Sequence, residues 1–190
     1  MKTLSFTGNY YCFMVYYYHR KGENMDILDS LKKAMAEYRT ITGLRSYLVL
    51  DTTEIKSASE RNYFCKCLKS STQALKRCEE CTQEYYAQAR QANEECIYSC
   101  HAGLIKWAVP VNCDDFHCVI ISEGILSQRQ LEEADEWTAY LSKEYELPKD
   151  MIKNNFQVMA VMNESQMNAS IQLLKDLVSY HLALFKANQA

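Results

Sequence analysis

The sequence is poor in residues that would interrupt or extend a compact chain. Only 2 of its 190 residues are proline and 5 are glycine, which argues against long disordered linkers. No stretch approaches the ~18 consecutive apolar residues of a membrane span. The 21 basic and 24 acidic side chains leave a net charge of −3, whereas nucleic-acid and anionic-membrane binders need a basic patch. We therefore expect one globular domain that neither binds nucleic acid directly nor enters a membrane.

Sequence motifs of enzymes are also missing. We find no glycine-rich phosphate loop, no G-x-S-x-G and no H-E-x-x-H. Cys100 and His101 are neighbours in sequence, so on a strand their side chains would point to opposite faces and could not act as nucleophile and base. The sequence predicts a protein that is not an enzyme.

Nine cysteines are the most unusual feature that is present. Their odd number and the absence of a secretory signal pattern make disulfides a poor default. In a reducing cytoplasm, clustered cysteines indicate metal binding, redox chemistry or small buried hydrophobic side chains. We expect a cytoplasmic protein.

Residues 1–24 differ from the rest, being rich in tyrosine and phenylalanine without helical or strand periodicity. The Lys21-Gly22-Glu23 run could be encoded by a purine-rich ribosome-binding element just before Met25. We consider two interpretations of this segment: a non-native upstream extension, with Met25 as the true start, or an N-terminal strand packed on the domain.

From Met25 onward, hydrophobic spacing and turn residues define an α+β chain. Ser70-x-x-Gln73 and Ser127-x-x-Gln130 have capping-box spacing. The predicted helices cover 26–40, 61–68, 71–93, a segment from 127 to Pro148, 149–155 and 164–187. The predicted strands cover 44–51, 96–100, 104–111 and 116–123. The strands follow one another too closely for parallel crossovers, so we expect an antiparallel sheet.

Four cysteines have a pattern suited to a metal site. Cys78 and Cys81 share one helix face, Cys65 lies on the preceding helix, and Cys100 ends a strand. Together these thiolates could saturate a structural Zn²⁺. Cys67 and Cys96 are reserve ligands, and iron–sulfur clusters use tighter spacings. The alternative is that Cys78, Cys81 and Tyr85 form an ordinary buried helix face.

Several motifs occur in an order that resembles a known family. They are Thr42-Gly43-Leu44 before a strand ending in Asp51, Tyr63-Phe64-Cys65, Cys78-x-x-Cys81, the run from Tyr98 through Cys100-His101-Ala102-Gly103-Leu104, and Val109-Pro110-Val111. Over residues 40–126 they resemble the PocR-type sensory domain. The resemblance implies a PAS-like fold with helices on one face of a sheet, binding a small hydrocarbon derivative such as a short diol. It also implies a place in bacterial transcription regulators or histidine kinases.

The sequence departs from this family at one strand end. Relatives end the strand in Gly-Gln, but here Gly124 is followed by Ile125. We expect a ligand pocket between the sheet and its covering helices, and strand alternation means that only about half of our candidates can face it. The candidate ligand-binding residues are Tyr47, Tyr98, His101, Trp107 and Glu123.

The last helix has a heptad-like seam at steps of four and three. Its members are Met167, Ile171, Leu174, Val178, His181 and Phe185. We therefore divide the chain into the segment 1–24, a sensory domain over 25–160 and a signalling helix over 161–190. The seam predicts a homodimer, weakened when His181 is protonated, with packing on its own domain as the alternative.

Together these features predict a small-molecule sensing module of bacterial signal transduction. The alternative function is a thiol-based redox or metal sensor in which the cysteine cluster is itself the receptor.

Overall fold

The computed structural model of the chain describes residues 26–52 and 62–189. The hypotheses about residues 1–24 lie outside these ranges. The helices of the described part are α1 Ile27–Thr42, α2 Tyr63–Leu68, α3 Thr72–Ala92, α4 Gln128–Glu132, α5 Ala134–Tyr145, α6 Lys149–Phe156 and α7 Glu164–Ala187. The strands are β1 Ser46–Val49, β2 Cys96–Ser99, β3 Ile105–Cys113 and β4 Phe116–Ser122. The α+β class is confirmed.

The four strands form one antiparallel sheet in the order β1-β4-β3-β2. The two central strands are almost entirely buried, as their runs of valine and isoleucine indicate. Within the described residues, β2 is an edge strand that pairs with residues 105–108 of β3. The chain leaves β2 through a tight turn at residues 100–104, and this turn positions the site described below.

Helices cover both faces of the sheet, which corrects the one-sided packing that the resemblance implied. On one face, Trp107, Val109 and Ile120 pack with residues of α1 and α7. On the other, Tyr98, Ala108 and Ile121 pack against α3. Both faces of the central strands are apolar, so leaving either one in water would cost hydrophobic free energy.

A third core lies beyond the sheet, where the turn after β2 enters a group of short helices. Ala102 and Leu104 are almost fully buried there, beside Phe64 of α2 and Phe156 of α6. The rings of Phe64 and Phe156 meet edge to face with centroids 5.3 Å apart. This core fixes α2 against the end of β2.

Of the two capping boxes predicted from the sequence, one forms. Ser127 forms a complete capping box with Gln130, and Asn163, which was not predicted, forms another with Gln166. The capping box predicted at Ser70 is wrong, because α3 begins after Ser71 without a side-chain cap. The Ser70 hydroxyl instead donates to the Cys67 carbonyl oxygen at 2.7 Å and closes the preceding helix.

The seam of α7 packs on its own domain. Ile171, Leu174 and Val178 are buried with α1 and the sheet, and His181 Nε2 lies 3.0 Å from a Glu37 carboxylate oxygen of α1. The buried seam residues could form a dimer interface, and two copies of His181 could repel each other in acid, only if α7 left the domain. The structure therefore agrees with the alternative prediction, in which the seam packs on its own domain. No helix within the described ranges is long and apolar enough to span a bilayer.

Replacing Leu174 tests this packing. Leu174 is fully buried, so Leu174→Ala should lower the free energy of unfolding by about 2–5 kcal/mol through lost burial and a cavity. Val158→Ala, at a residue 74% exposed between α6 and α7, is the control and should change it little. Urea denaturation measures both; an unaltered Leu174→Ala protein would contradict the packing of α7 on α1.

Candidate functional site

A small cavity lies where α2, α3, β3 and the turn after β2 meet, with a volume of about 30 Å³. This is room for an ion or about two waters. The residues that line it are Cys65, Leu68, Lys69, Cys78, Cys81, Thr82, Tyr98, Cys100, His101, Ala102, Leu104 and Lys106. The structure thus brings the four predicted metal ligands together, and it places two of the predicted ligand-binding residues with them.

Three separate elements supply the cysteines. The amide of Cys65 in the first turn of α2 donates to the Asn62 side chain at 2.7 Å, which fixes the start of that helix. Cys78 and Cys81 lie one turn apart on α3. Cys100 follows β2, and its amide donates to the Leu104 carbonyl oxygen at 2.9 Å. The capped helix α2, the long helix α3 and the turn after β2 therefore hold thiols that are far apart in sequence.

The two reserve cysteines take other positions. Cys67 is buried in the core of the short helices. Cys96 lies on the same sheet face as Tyr98, beside the apolar residues that α3 covers. Neither lines the cavity.

The four thiols are not arranged as a finished metal site. Within residues 26–52 and 62–189, no three His, Cys, Asp or Glu side chains are placed to hold a metal ion as they stand. Burial raises the pKa of Cys65 and of Cys81 to about 11 and also raises that of Cys100. The thiols of Cys65, Cys81 and Cys100 are therefore protonated at neutral pH, and a metal would have to draw the sulfurs together and displace their protons.

Lys106 is the site residue that the sequence analysis missed. It lies in the middle of β3, is only 8% exposed, and its Nζ donates to the Tyr47 hydroxyl at 3.4 Å. The same Nζ is 5.3 Å from the centroid of the Tyr47 ring. A lysine inside the otherwise apolar Ile105–Val111 run was the signal that could have revealed it.

The position of Lys106 is unusual because no carboxylate of residues 26–52 or 62–189 pairs with it. None of the twelve residues that line the cavity is acidic. Burial disfavours the charged form of Lys106, whereas negative charge on Tyr47, Tyr98 or Cys100 would favour it and raise its pKa. Since burial also raises the pKa of Tyr98 and Cys100, the cavity contains a buried lysine amine without an ionised partner among the described residues.

Tyr98 and His101 offer neutral polar groups to the cavity. The Tyr98 ring stacks on Tyr85 with centroids 3.8 Å apart, and its buried hydroxyl finds no hydrogen-bond partner among the residues that the structure describes. His101 Nδ1 lies 2.8 Å from the Tyr145 hydroxyl. Burial lowers the pKa of His101 to about 4, so its imidazole is uncharged at neutral pH.

The other predicted ligand-binding residues do not line this cavity. Tyr47 reaches only its edge, through Lys106. Trp107 lies on the opposite face of the sheet, in the core below α1 and α7. Glu123 accepts a hydrogen bond from the Arg45 amide at 2.9 Å at the end of β1. Strand alternation separates Trp107 from Lys106, as the period of two requires.

The Cys100–Leu104 turn explains the most specific motif of the sequence. Gly103 has a φ of +80°, in the left-handed region, and a Cβ there would lie 2.8 Å from Trp137 Nε1. That indole donates to the Ala102 carbonyl oxygen at 2.9 Å, while the Gln130 side chain donates to the Gly103 carbonyl oxygen. The turn is thus fixed by α4 and α5, and Cys100 and His101 are fixed with it.

A larger groove of about 540 Å³ lies between the end of α3, β3 and α7. The Lys175–Glu95 ion pair, 3.0 Å long, lies along it. None of the predicted site residues lines this groove. The smaller cavity, which six of them line, is therefore the better candidate for the functional site.

Comparison with known proteins shows that the chain is a sensory domain, and such domains sense small molecules. Residues 26–184 match the family model described as the sensory domain found in PocR. The chain therefore belongs to the PocR sensory-domain family, and the resemblance noted in the sequence is confirmed. The matched region includes most of α7. No curated protein and no solved structure matches the sequence.

Proposed function

We propose that the domain senses a small hydrocarbon derivative, such as a short diol, through the cysteine-lined cavity. The observation that carries this proposal is that Tyr98, His101 and Lys106 converge on a cavity in the centre of the matched region. A buried cavity with a few polar groups among apolar and aromatic walls suits a small polar ligand. The role is that of a cytoplasmic module of bacterial signal transduction or transcription regulation, and the family indicates sensing rather than catalysis.

We further propose that Cys65, Cys78, Cys81 and Cys100 bind one structural Zn²⁺ at this cavity. The donor set fits the ion, since four thiolates saturate its tetrahedral coordination and leave no open position for chemistry. The cavity volume of about 30 Å³ suits an ion. When bound, zinc would tie α2, α3 and the end of β2 together. The ligand would then contact the Tyr98 and Lys106 side of the cavity.

One observation favours a second function, in which the cysteine cluster is itself the receptor. The thiols and the candidate ligand-binding groups share a single small cavity, so a polyatomic ligand and a metal compete for space unless the cavity expands. A redox or metal sensor would use that same cavity for an ion or a thiol reaction. Mild peroxide separates the two functions, because a redox sensor should release its metal and a structural site should retain it.

Replacing Tyr98 tests the receptor cavity. A thermal-shift screen of short diols, aldehydes and carboxylic acids should find at least one compound that raises the melting temperature, because ligand binding stabilises the folded state by mass action. Tyr98→Phe removes only the hydroxyl that lacks a partner, so it should preserve folding and abolish most of that shift. Tyr180→Phe, at an exposed tyrosine of α7, is the matched control. A full ligand-induced shift in Tyr98→Phe would exclude Tyr98 from the receptor.

We also propose that the domain forms a homodimer through α7, using the face beside the buried seam. Leu173, Leu177, Tyr180 and Leu184 follow steps of four, three and four. Leu173 and Leu177 are partly buried against the core of their own domain, while Tyr180 and Leu184 are 54% and 36% exposed. Apolar side chains in this pattern suit a helix pair. Tyr180→Glu should convert a dimer into a folded monomer in sedimentation experiments, and a monomeric wild-type protein at high concentration would contradict the proposal.

A further inference from the structure

Two elements that line the small cavity meet at Glu95. Helix α3 supplies one wall of the cavity, and β2 supplies Tyr98. The Tyr98 ring stacks on Tyr85 of α3 with centroids 3.8 Å apart, so the helix and the strand are joined beside the cavity. Only residues 93–95 separate the end of α3 from the start of β2. A displacement of Tyr98 would therefore also move Glu95.

β2 is held more weakly than the central strands of the sheet. It has four residues and, among the described strands, pairs with β3 alone, whereas β3 and β4 each have a strand on both sides. Ile97 in the middle of β2 is 46% exposed, so one face of the strand is poorly covered. Short segments with few buried contacts open and shift at low cost.

Glu95 also contacts α7, on the other side of the larger groove. Lys175 Nζ of α7 donates to a Glu95 carboxylate oxygen at 3.0 Å, and both residues line the groove of about 540 Å³. The two side chains are 38% and 36% exposed for Glu95 and Lys175 respectively. A partly exposed ion pair of this kind is weak enough to break and form again without unfolding the domain.

We propose that the Lys175–Glu95 ion pair transmits the state of the receptor cavity to α7. A change in the cavity that shifts β2 weakens or strengthens the pair, and α7 is then held less or more firmly on its domain. Such coupling is carried by packed side chains, ion pairs and whole elements. The link deepens the proposed sensing function and rests on it for its purpose. Glu95 and Lys175 are positioning residues that bind no ligand themselves.

Amide hydrogen exchange of the full chain tests the link. Tyr98→Leu removes the stacking on Tyr85 and loosens β2, so exchange over residues 175–184 should accelerate by about two- to fivefold, the range of a partly exposed ion pair. The rates are compared with those of β4, whose amides at the centre of the sheet report global unfolding. Tyr85→Leu removes the same stacking from the α3 side and should act in the same way.

The double variant isolates the ion pair from other routes. Lys175→Met alone should accelerate exchange in α7 by a similar factor, and adding Tyr98→Leu to it should cause no further acceleration, because the pair is already lost. Exchanging the two charges, with Glu95→Lys and Lys175→Glu together, should restore the response of α7 to Tyr98→Leu.

Lys186→Met is the matched control. Lys186 forms an ion pair of the same length, 3.0 Å, with Asp114 in the turn between β3 and β4, and this pair does not involve β2. Tyr98→Leu should therefore still accelerate exchange over residues 175–184 in the Lys186→Met protein. An equal response to Tyr98→Leu with and without Lys175, or no response of α7 in the wild-type background, would overturn the proposal. Since no compound is added, a failed diol screen would count against the proposed ligand and leave this result unchanged.

Discussion

Cys78→Ser and Cys100→Ser are expected to abolish metal binding and most of the cooperative fold. The two cysteines come from α3 and from the end of β2, so the metal would join a helix to a strand, and its binding free energy becomes folding free energy. Structural zinc contributes ~10–16 kcal/mol in small domains, which is comparable to the whole stability of a typical domain, about 5–15 kcal/mol. Zinc content by mass spectrometry and thermal melting measure both losses.

Cys113→Ser is the matched control for this prediction. Cys113, at the end of β3, is only 5% exposed and does not line the cavity. Its serine variant therefore buries a hydroxyl, as the other two variants do, but removes no metal ligand. It should keep the metal and melt only slightly earlier. Equal metal content and equal melting in all three variants would remove the zinc assignment.

Gly103→Ala should destabilise the domain by about 2–4 kcal/mol, combining a left-handed backbone penalty with overpacking. The new Cβ would lie 2.8 Å from Trp137 Nε1, whose hydrogen bond to the Ala102 carbonyl oxygen fixes the turn. Moving that indole would displace Cys100 and His101, so zinc affinity should fall as well. Urea denaturation and chelator competition report the two effects.

Gly43→Ala separates the backbone penalty from the clash. Gly43 ends α1 with a φ of +75°, close to that of Gly103, and a Cβ there meets nothing within 4 Å. Its alanine variant should therefore lose only about 1–2 kcal/mol, the penalty of the left-handed conformation alone. Equal losses in the two variants would show that the contact with Trp137 has no part in holding the turn.

Local sequence signals were sufficient for most of the fold. The apolar runs of β3 and β4 and the capping box at Ser127 each reflect interactions among near neighbours, and the structure contains them as predicted. The packing of the elements was harder. Both the covered second face of the sheet and the burial of the α7 seam depend on which helix meets which surface, and hydrophobic periodicity does not specify the partner.

In the candidate site, too, local sequence signals predicted some residues, while others depend on how the elements pack. The spacing of Cys78 and Cys81 and the turn signal after Cys100 were enough to place the thiols near each other. The basic group of the cavity, Lys106, was not predicted. In the sequence it looks like an ordinary strand lysine, and it becomes distinctive only because α3 covers it. Trp107, its neighbour, was assigned to the pocket although alternation sends it to the opposite face.

The most direct test of the central claim is zinc K-edge X-ray absorption on the purified full chain. The account predicts one zinc per chain with four sulfur neighbours at about 2.3 Å, and no bound zinc in Cys100→Ser. A first shell of nitrogen and oxygen atoms, or a protein that holds no zinc, would contradict it.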